Sequence, residues 1–544
     1  MKTTFPVISL FILNSILFSQ VTQEWVTFYN YSGNSLDIAK SIGVDNWGNV
    51  FVTGYSGTFN DYATLKYNSS GVQQWVQRYN GSGNNNDRGI SLVVDDSGNV
   101  YVTGYSYEGS ITFIDYSTIK YNSAGIQQWI QKYNGPISGN DEPRSIAIDK
   151  LGNVYVTGIS DGMGSMLDYA TIKYNSAGVL QWVQRFNGLE NEDDEVYSIA
   201  IDSFSNVFVT GSCNNNGTDV YATIKYTSSG VQQWVRIYDV PGSYAQSISV
   251  DNTGNSYVTG YSYGSGSGFD YTTLKYNSSG VQQWVQRYNG LANGEDEAYA
   301  LVLDNSDNVY VTGRSFVNGT YFDYTTIKYN SAGIQQWIQI YNGPGEGYDA
   351  AYSITTDSLG NIYLTGYSRG NGTGDDYATI KYNSSGVQQW VQRYNGPGNS
   401  HDAAYSIATD NSGNVYVTGY CYGFGTGYDY GTIKYSQSIG IQPTSSEIPK
   451  SYSLSQNYPN PFNPVTKIRF SIPLSRGVSA DGGRGVLLQV YDILGREITV
   501  LVNEQLKPGT YEVEFDGSNY PSGVYFYTLN ANEYKESKKM ILLK

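Results

Sequence analysis

The chain has 544 residues, of which 48 are Asp or Glu and 32 Lys or Arg, giving a net charge of −16 at neutral pH. That balance argues against nucleic acid or an anionic lipid surface as a partner. It holds 62 Gly and 54 Tyr against four Met and one His, which suits sheets joined by tight turns rather than helices, and two cysteines are too few for a disulfide scaffold.

At the N-terminus Lys2 precedes an apolar stretch from Phe5 to Phe18, followed by Ser19 and Gln20. This reads as a secretory signal peptide, residues 1–19, too short for a membrane span of about 20 apolar residues. No Cys follows for lipid attachment and no later stretch is long and apolar enough to cross a bilayer, so no transmembrane helix is expected after processing.

From residue 20 to 436 one pattern recurs. Its Trp stands at 25, 75, 129, 182, 234, 284, 337 and 390, a period of 50 to 54 residues. The second copy carries four strand-like segments, lettered a to d: ISLVVD at 90–95, NVYVTGYS at 99–106, DYSTIKYN at 115–122 and IQQWIQKYN at 126–134. Both faces of these segments are apolar or amphipathic, as in a sheet covered on two sides. The intervening DDSGN and NSAG provide the residues of tight hairpins. Asp45 to Asn49 and its counterparts resemble the start of a calcium loop but lack the bidentate Glu, and read as hydrogen-bonded Asx turns. Small sheets repeating at this period indicate a β-propeller.

The phase of the copies is informative. The first segment, Glu24 to Asn30, matches d, whereas the last copy stops on c at Asp429 to Tyr435. The expectation is an all-β fold: an eight-bladed propeller of four-stranded blades, closed by the N-terminal strand so that no sheet edge is left open. Cys213 and Cys421 fall at the same place in copies four and eight, on opposite sides of such a ring, and are not expected to pair.

Copies of the form SIAxDxxGNVYVTGYS…DYxTIKYNxxGxxQW resemble the bacterial extracytoplasmic β-propeller repeat called SBBP, over residues 24–436. The resemblance implies seven blades where this chain counts eight, and implies no shared catalytic residues.

A polar linker is expected at 437–450 and a different β pattern at 451–544. Here stand, in order, NYPNPFNP (Asn457, Tyr458, Pro459, Asn460, Pro461, Phe462), YDILGRE with Gly495, PGTYEVEFD with Gly509, PSGVYFY with Gly523, and a Lys-rich apolar end at Lys544. Together they are similar to the C-terminal sorting domain of type IX secretion. The resemblance implies passage across an outer membrane by the type IX machinery, to the cell surface or the medium; the domain is an address rather than an activity. The alternation of Ile468/Phe470/Ile472, Tyr511/Val513/Phe515 and Val524/Phe526 predicts inward faces of a small immunoglobulin-like β-sandwich, with Ser475 to Gly485 as a loop insertion.

Chemistry is sparse. His401, followed by Asp402, is the only histidine; the pair is a catalytic candidate, though with no distinctive Ser or Cys beside it a loop substitution is the preferred reading. There is no zinc pattern, and Gly264 to Gly268 reads as a connection rather than a phosphate loop. The Trp of strand d and the Lys of strand c (Lys66 to Lys434) recur in all eight copies, which points to blade packing, with sugar stacking by Trp left open. An aspartate precedes each a–b turn by eight residues: Asp37, Asp87, Asp141, Asp194, Asp296, Asp349 and Asp402, with Ser243 the exception. These residues either accept hydrogen bonds that hold blades in register or encircle a mouth of the channel and bind a cation, Ca2+ being the only cofactor candidate. Two functional classes remain: a monomeric exported propeller that binds an extracellular protein or glycan, or a secreted hydrolase or lyase with an acidic site in the channel.

Overall fold

The computed structural model describes the chain except for residues 1–20, 32–34, 110–112, 358–359, 438–441, 446–447, 475–483, 518–519 and 533. The expected signal peptide and most of the Ser475 to Gly485 insertion therefore lie outside the described residues. Gln23–Ser436 forms one compact unit and Gln437–Lys544 belongs to a second. No helix occurs among the described residues.

In the first unit each copy folds into antiparallel strands in sequence order. Those of the second copy are Arg88–Val94, Val100–Tyr107, Ile114–Tyr121 and Gln127–Tyr133, matching segments a to d with ends shifted by one or two residues. Counted in chain order, the first sheet spans 38–79 and the seventh ends at 394. An eighth, at 403–437, supplies only a, b and c, and its fourth strand is Val21–Tyr29 from the start of the chain. The sixth and seventh sheets are joined by a short parallel pairing of Tyr321 with Gly347 and Phe322 with Tyr348. Each strand a touches strand a of the next sheet, and that of the eighth touches that of the first.

Strands b and c are apolar on both faces because both faces are covered. Val50, Val52 and Leu65 of the first sheet share a buried cluster with Tyr416 and Tyr430 of the eighth, while Phe51 and Tyr62 pack on Leu92, Val102 and Ile119 of the second. Polar side chains then bind neighbour to neighbour. The carbonyl of Ser123 in the second sheet accepts Nζ of Lys66 at 2.9 Å and Nε1 of Trp75 at 3.2 Å, both from the first. Lys434 and Trp25 converge in the same way on the carbonyl of Ser69, at 3.2 and 3.1 Å. A tyrosine of strand c adds a further link: Tyr62 Oη donates to Ser117 O at 2.9 Å and Tyr430 Oη to Ala63 O at 3.1 Å.

The a–b turns are Asx turns. Asp45 Oδ1 accepts N–H groups from Trp47 and Asn49 at 3.0 and 2.8 Å, and Asn49 Nδ2 donates to Oδ2 at 2.7 Å. In copies four and six Ser205 and Asp307 take the left-handed position at φ 62° and 58° that Gly fills elsewhere. Cys213 and Cys421 are buried free thiols in different sheets.

The second unit contains two four-stranded sheets that enclose one core, with Ile468, Phe470, Ile472 and Val513 from one and Val486, Leu488, Val490 and Leu529 from the other. Two expectations change here. Gln442–Ser445, read as linker, is a strand paired with Gly509–Asp516. In Gly523–Ala531 it is Tyr525, Tyr527 and Leu529 that face the core, whereas Phe526 is exposed. Val524 and Phe526 are as apolar as Tyr525 and Tyr527, so period-2 patterning over that half of the strand does not say which face is buried.

Candidate ligand-binding site

The seven aspartates before strand a are fully shielded from solvent. Each is occupied by nearby backbone. Asp87 accepts the N–H groups of Gly81 and Tyr107 at 2.9 and 2.8 Å, Asp349 those of Gly343 and Arg369 at 2.7 Å, and Asp402 those of Gly396 and Tyr422 at 2.6 and 2.7 Å. Asp194 holds Gly188 at 2.5 Å, Asp296 Gly290 at 2.6 Å, Asp141 Gly135 at 2.7 Å, and Asp37 Gly57 at 3.0 Å. Each carboxylate thus ties the loop that enters strand a, strand b or both. Burial pushes Asp87, Asp141, Asp296 and Asp402 up to about 6 and Asp194 to about 7, against the lowering effect of those N–H donors. Among the described residues no three His, Cys, Asp or Glu side chains converge as a metal cluster.

Departure from the repeat is concentrated elsewhere. At the end of the sheets where the b–c and d–a connections lie, the sixth to eighth sheets border a cavity of about 660 Å³. Its wall is aromatic: Tyr352 lies 5.5 Å from Tyr367 and 5.6 Å from Tyr405 between ring centroids, and Tyr405 lies 5.6 Å from Tyr420. Tyr321 and Tyr348, stacked at 5.7 Å, form part of the rim. Burial raises the phenols of Tyr352, Tyr367, Tyr405 and Tyr420 above their usual range, so they stay neutral donors and acceptors. An ionic group completes the lining, with His401 Nδ1 2.8 Å from Asp375 Oδ2 and Arg369 Nη1 3.1 Å from Asp375 Oδ1.

His401 is therefore partnered by Asp375 of the preceding copy, not by Asp402, which turns inward to its own backbone. The sequence contains a signal for the aromatic wall: three residues after the strand-a aspartate the copies read Lys40, Ile90, Arg144, Tyr197, Gln246, Tyr299, Tyr352 and Tyr405. That variable position becomes a run of tyrosines only in the last three copies. The arrangement offers flat apolar faces beside fixed hydrogen-bonding groups, the usual makings of a small-ligand site.

In the second unit the separated sorting motifs come together. Asn457 is buried, its N–H donating to Tyr527 Oη at 2.8 Å and its Nδ2 to Thr466 Oγ1 and Pro459 O at 2.9 and 3.0 Å. Asn460 Oδ1 accepts from Ile541 N at 3.0 Å, and Phe462, buried against Phe515, exchanges backbone bonds of 2.9 Å with Ile541 and Leu543. Pro461 lies between these anchors, while Tyr458 is exposed. Gly495 takes φ 78° in the turn held by Asp492, Gly509 and Gly523 open strands, and Lys544 N donates to Ser522 Oγ at 2.9 Å.

Family comparisons agree with this division. A secretion system C-terminal sorting domain matches residues 456–543. The β-propeller repeat SBBP matches residues 74–111, 128–162, 181–217, 233–266, 336–372 and 389–423. An uncharacterized WD repeat-containing protein of Acanthamoeba polyphaga mimivirus is 23% identical over 268 residues, 43% of this chain, and the chain spans only 16% of that relative. Among solved structures, the polysaccharide lyase Uly1 aligns at a TM-score of 0.42 and 12% identity, over 66% of this chain and 92% of its own. A fungal alcohol oxidase of the AA5 family with bound copper aligns at 0.29 and 11%, over 73% and 96% respectively. Likenesses this distant carry no functional argument. The sorting domain directs the protein through the type IX secretion machinery to the cell surface or the extracellular space. The chain carries SBBP β-propeller repeats followed by a type IX C-terminal sorting domain.

Proposed function

We propose that the exported chain is a monomeric binding module: an eight-bladed propeller, closed by Val21–Tyr29, with an immunoglobulin-like sandwich as its address. Supporting the ring are the sharing of the eighth sheet between the two ends of the repeat region and the contact of its strand a with that of the first sheet. The binding reading rests on the tyrosine-walled cavity among the sixth to eighth sheets, where the repeat symmetry is broken by side chains rather than by loop length. Its aromatic faces suit the C–H faces of sugar rings, and Asp375, Arg369 and His401 suit hydroxyl groups, so a glycan, free or on a protein, is the favoured ligand. A glycan array probed with the purified mature protein and with Tyr352→Ala/Tyr405→Ala tests it. Binding that persists undiminished in the double variant refutes the site, and an array without hits refutes the ligand class.

A second reading, a hydrolase or lyase, is favoured by one observation. His401 is oriented by Asp375 at 2.8 Å, as an acid–base catalyst is oriented by a carboxylate. Turnover of an array-positive glycan that disappears in His401→Ala while binding remains would establish it.

A further inference from the structure

A second series of aspartates opens strand c, and each meets a strand-a aspartate across the seam to the next sheet. Backbone bonds set the pairs side by side. The N–H groups of Asp37, Asp194 and Asp402 donate at 2.7 Å to the carbonyls of Tyr428, Leu167 and Asp375, the residues just before Asp429, Asp168 and Asp376. Asp323 and Asp349 each follow the parallel pair of Phe322 and Tyr348. In all seven pairs the strand-c aspartate (Asp61, Asp115, Asp168, Asp270, Asp323, Asp376 or Asp429) keeps a buried Oδ1 with no hydrogen-bond partner. In the one remaining copy Val220 replaces the strand-c aspartate, and there Ser243 replaces its opposite number. The two positions change together.

A third position decides the charge. An arginine of strand d bonds the strand-c aspartate in four sheets: Arg78 to Asp61 at 3.0 Å, Arg185 to Asp168 at 2.8 Å, and Arg287 to Asp270 and Arg393 to Asp376 at 2.9 Å. The second sheet has Lys132 there, and the fourth, which lacks both aspartates, has Ile237. The sixth sheet has Ile340 opposite Thr325, and the eighth, by its spacing from Trp25, has Phe28. Two seams therefore hold a buried carboxylate pair with neither Arg nor Lys at this strand-d position; in the second sheet Lys132 stands there, close enough to lower the pKa of Asp115 by its charge although its own 2.6 Å salt bridge is made to Glu108. Asp323 and Asp429 are 2% and 6% exposed, and Asp349 and Asp37 0%. Arg393 and Arg78 approach Asp349 and Asp37 through Ser368 and Ser56, but their salt bridges are made to Asp376 and Asp61.

We propose that the Asp323–Asp349 and Asp429–Asp37 seams each bind one calcium ion. A buried carboxylate pair requires a counter-charge, and a divalent cation matches the two negative charges as Arg partly does elsewhere. Every donor is oxygen. Asp323 Oδ1 and Asp429 Oδ1 are uncommitted, and Thr320 and Thr426, whose Oγ1 atoms lie 2.9 and 2.7 Å from the other carboxylate oxygens, stand beside them. Calcium tolerates an irregular shell completed by carbonyls and water, whereas magnesium demands near-octahedral geometry. At the arginine-bearing seams the guanidinium already supplies a positive charge to the strand-c carboxylate. The proposal does not rest on the cavity, although Asp349 braces Gly343 and Arg369 near its rim.

Calorimetric titration of the chelator-stripped mature protein with CaCl2 is expected to give two calcium ions per chain and a higher melting temperature, with little response to MgCl2. Asp323→Asn and Asp429→Asn each reduce the stoichiometry to one, and the control Asp376→Asn leaves it at two. Should the Asn variants fold poorly, Ile340→Arg installs the missing arginine at a partly exposed position; it removes one calcium while leaving the metal-free melting temperature equal to or above the parent's. The proposal is overturned by the absence of calcium uptake with melting indifferent to chelator, by two ions still bound in the Asp323→Asn/Asp429→Asn double variant, or by two ions bound in Ile340→Arg.

Discussion

The two ends of the propeller sheets obey different rules. At the end with the a–b and c–d turns, the Asx aspartate and the Trp and Lys that reach the neighbouring turn recur in every copy. The end with the b–c and d–a connections varies, and the aromatic cavity and the two aspartate pairs that lack a basic strand-d residue are found there. Repetition marks the contacts that assemble the sheets, since a part needed once per seam is written once per copy. Function is free to develop only where a residue is released from that duty.

The largest effect expected follows from removing the strand that starts the repeat region. Deleting residues 21–31 strips the eighth sheet of its outer strand and of the Tyr29–Tyr430 ring contact at 5.5 Å. Cooperative thermal unfolding, followed by circular dichroism, is expected to be lost, with aggregation through the bared edge. A variant that melts like the parent would show that the sheet is complete without it. Next comes the repeated turn end. Trp234→Ala empties a site only 7% exposed and removes the 3.2 Å bond to Ser278 O; a loss of about 3–5 kcal/mol is expected in urea unfolding.

Acid should stabilise the protein over a defined window. Asp87, Asp141, Asp194, Asp296 and Asp402 have folded-state pKa values of about 6 to 7, above the unfolded value of about 3.9. Between these limits the folded chain binds more protons than the unfolded one, so stability falls as pH rises through about 4 to 7. In chelator, the melting temperature is expected to be higher at pH 5 than at pH 8; an opposite trend would show these carboxylates to be better solvated by their N–H donors than their burial implies. The smallest effect belongs to the variable end. His401→Ala, at a half-exposed side chain, should change stability by less than about 0.5 kcal/mol while weakening glycan binding, which separates the two ends by experiment.

The sequence disclosed most of what is repeated. In the second copy the strand limits lay within two residues of those observed, although the first strand of the chain starts three residues before the expected Glu24, and the Asx turns follow from Asp and Asn spacing because their hydrogen bonds are local. Contacts between copies were harder to read. Asp375 lies 26 residues before His401, across a seam, while the adjacent Asp402 offered a nearer but misleading partner. The pairing of Asp323 with Asp349 is hidden for the same reason. In the sorting domain the motif order was legible, but the buried face of Gly523–Ala531 was not, since tyrosines and Leu529 competed with Val524 and Phe526 for the core.

The order of strands in the eighth sheet also fixes how the repeat region bears mechanical load. Its last strand, Gly427–Gln437, is not an edge: Val415–Gly423 flanks it on one side and Val21–Tyr29 on the other. Ladder bonds in antiparallel sheets lie across the strand direction, so tension on the chain beyond Gln437 shears two ladders at once rather than peeling one bond at a time. The end of the repeat region that leads into the sorting domain is thereby the end best placed to resist being pulled out.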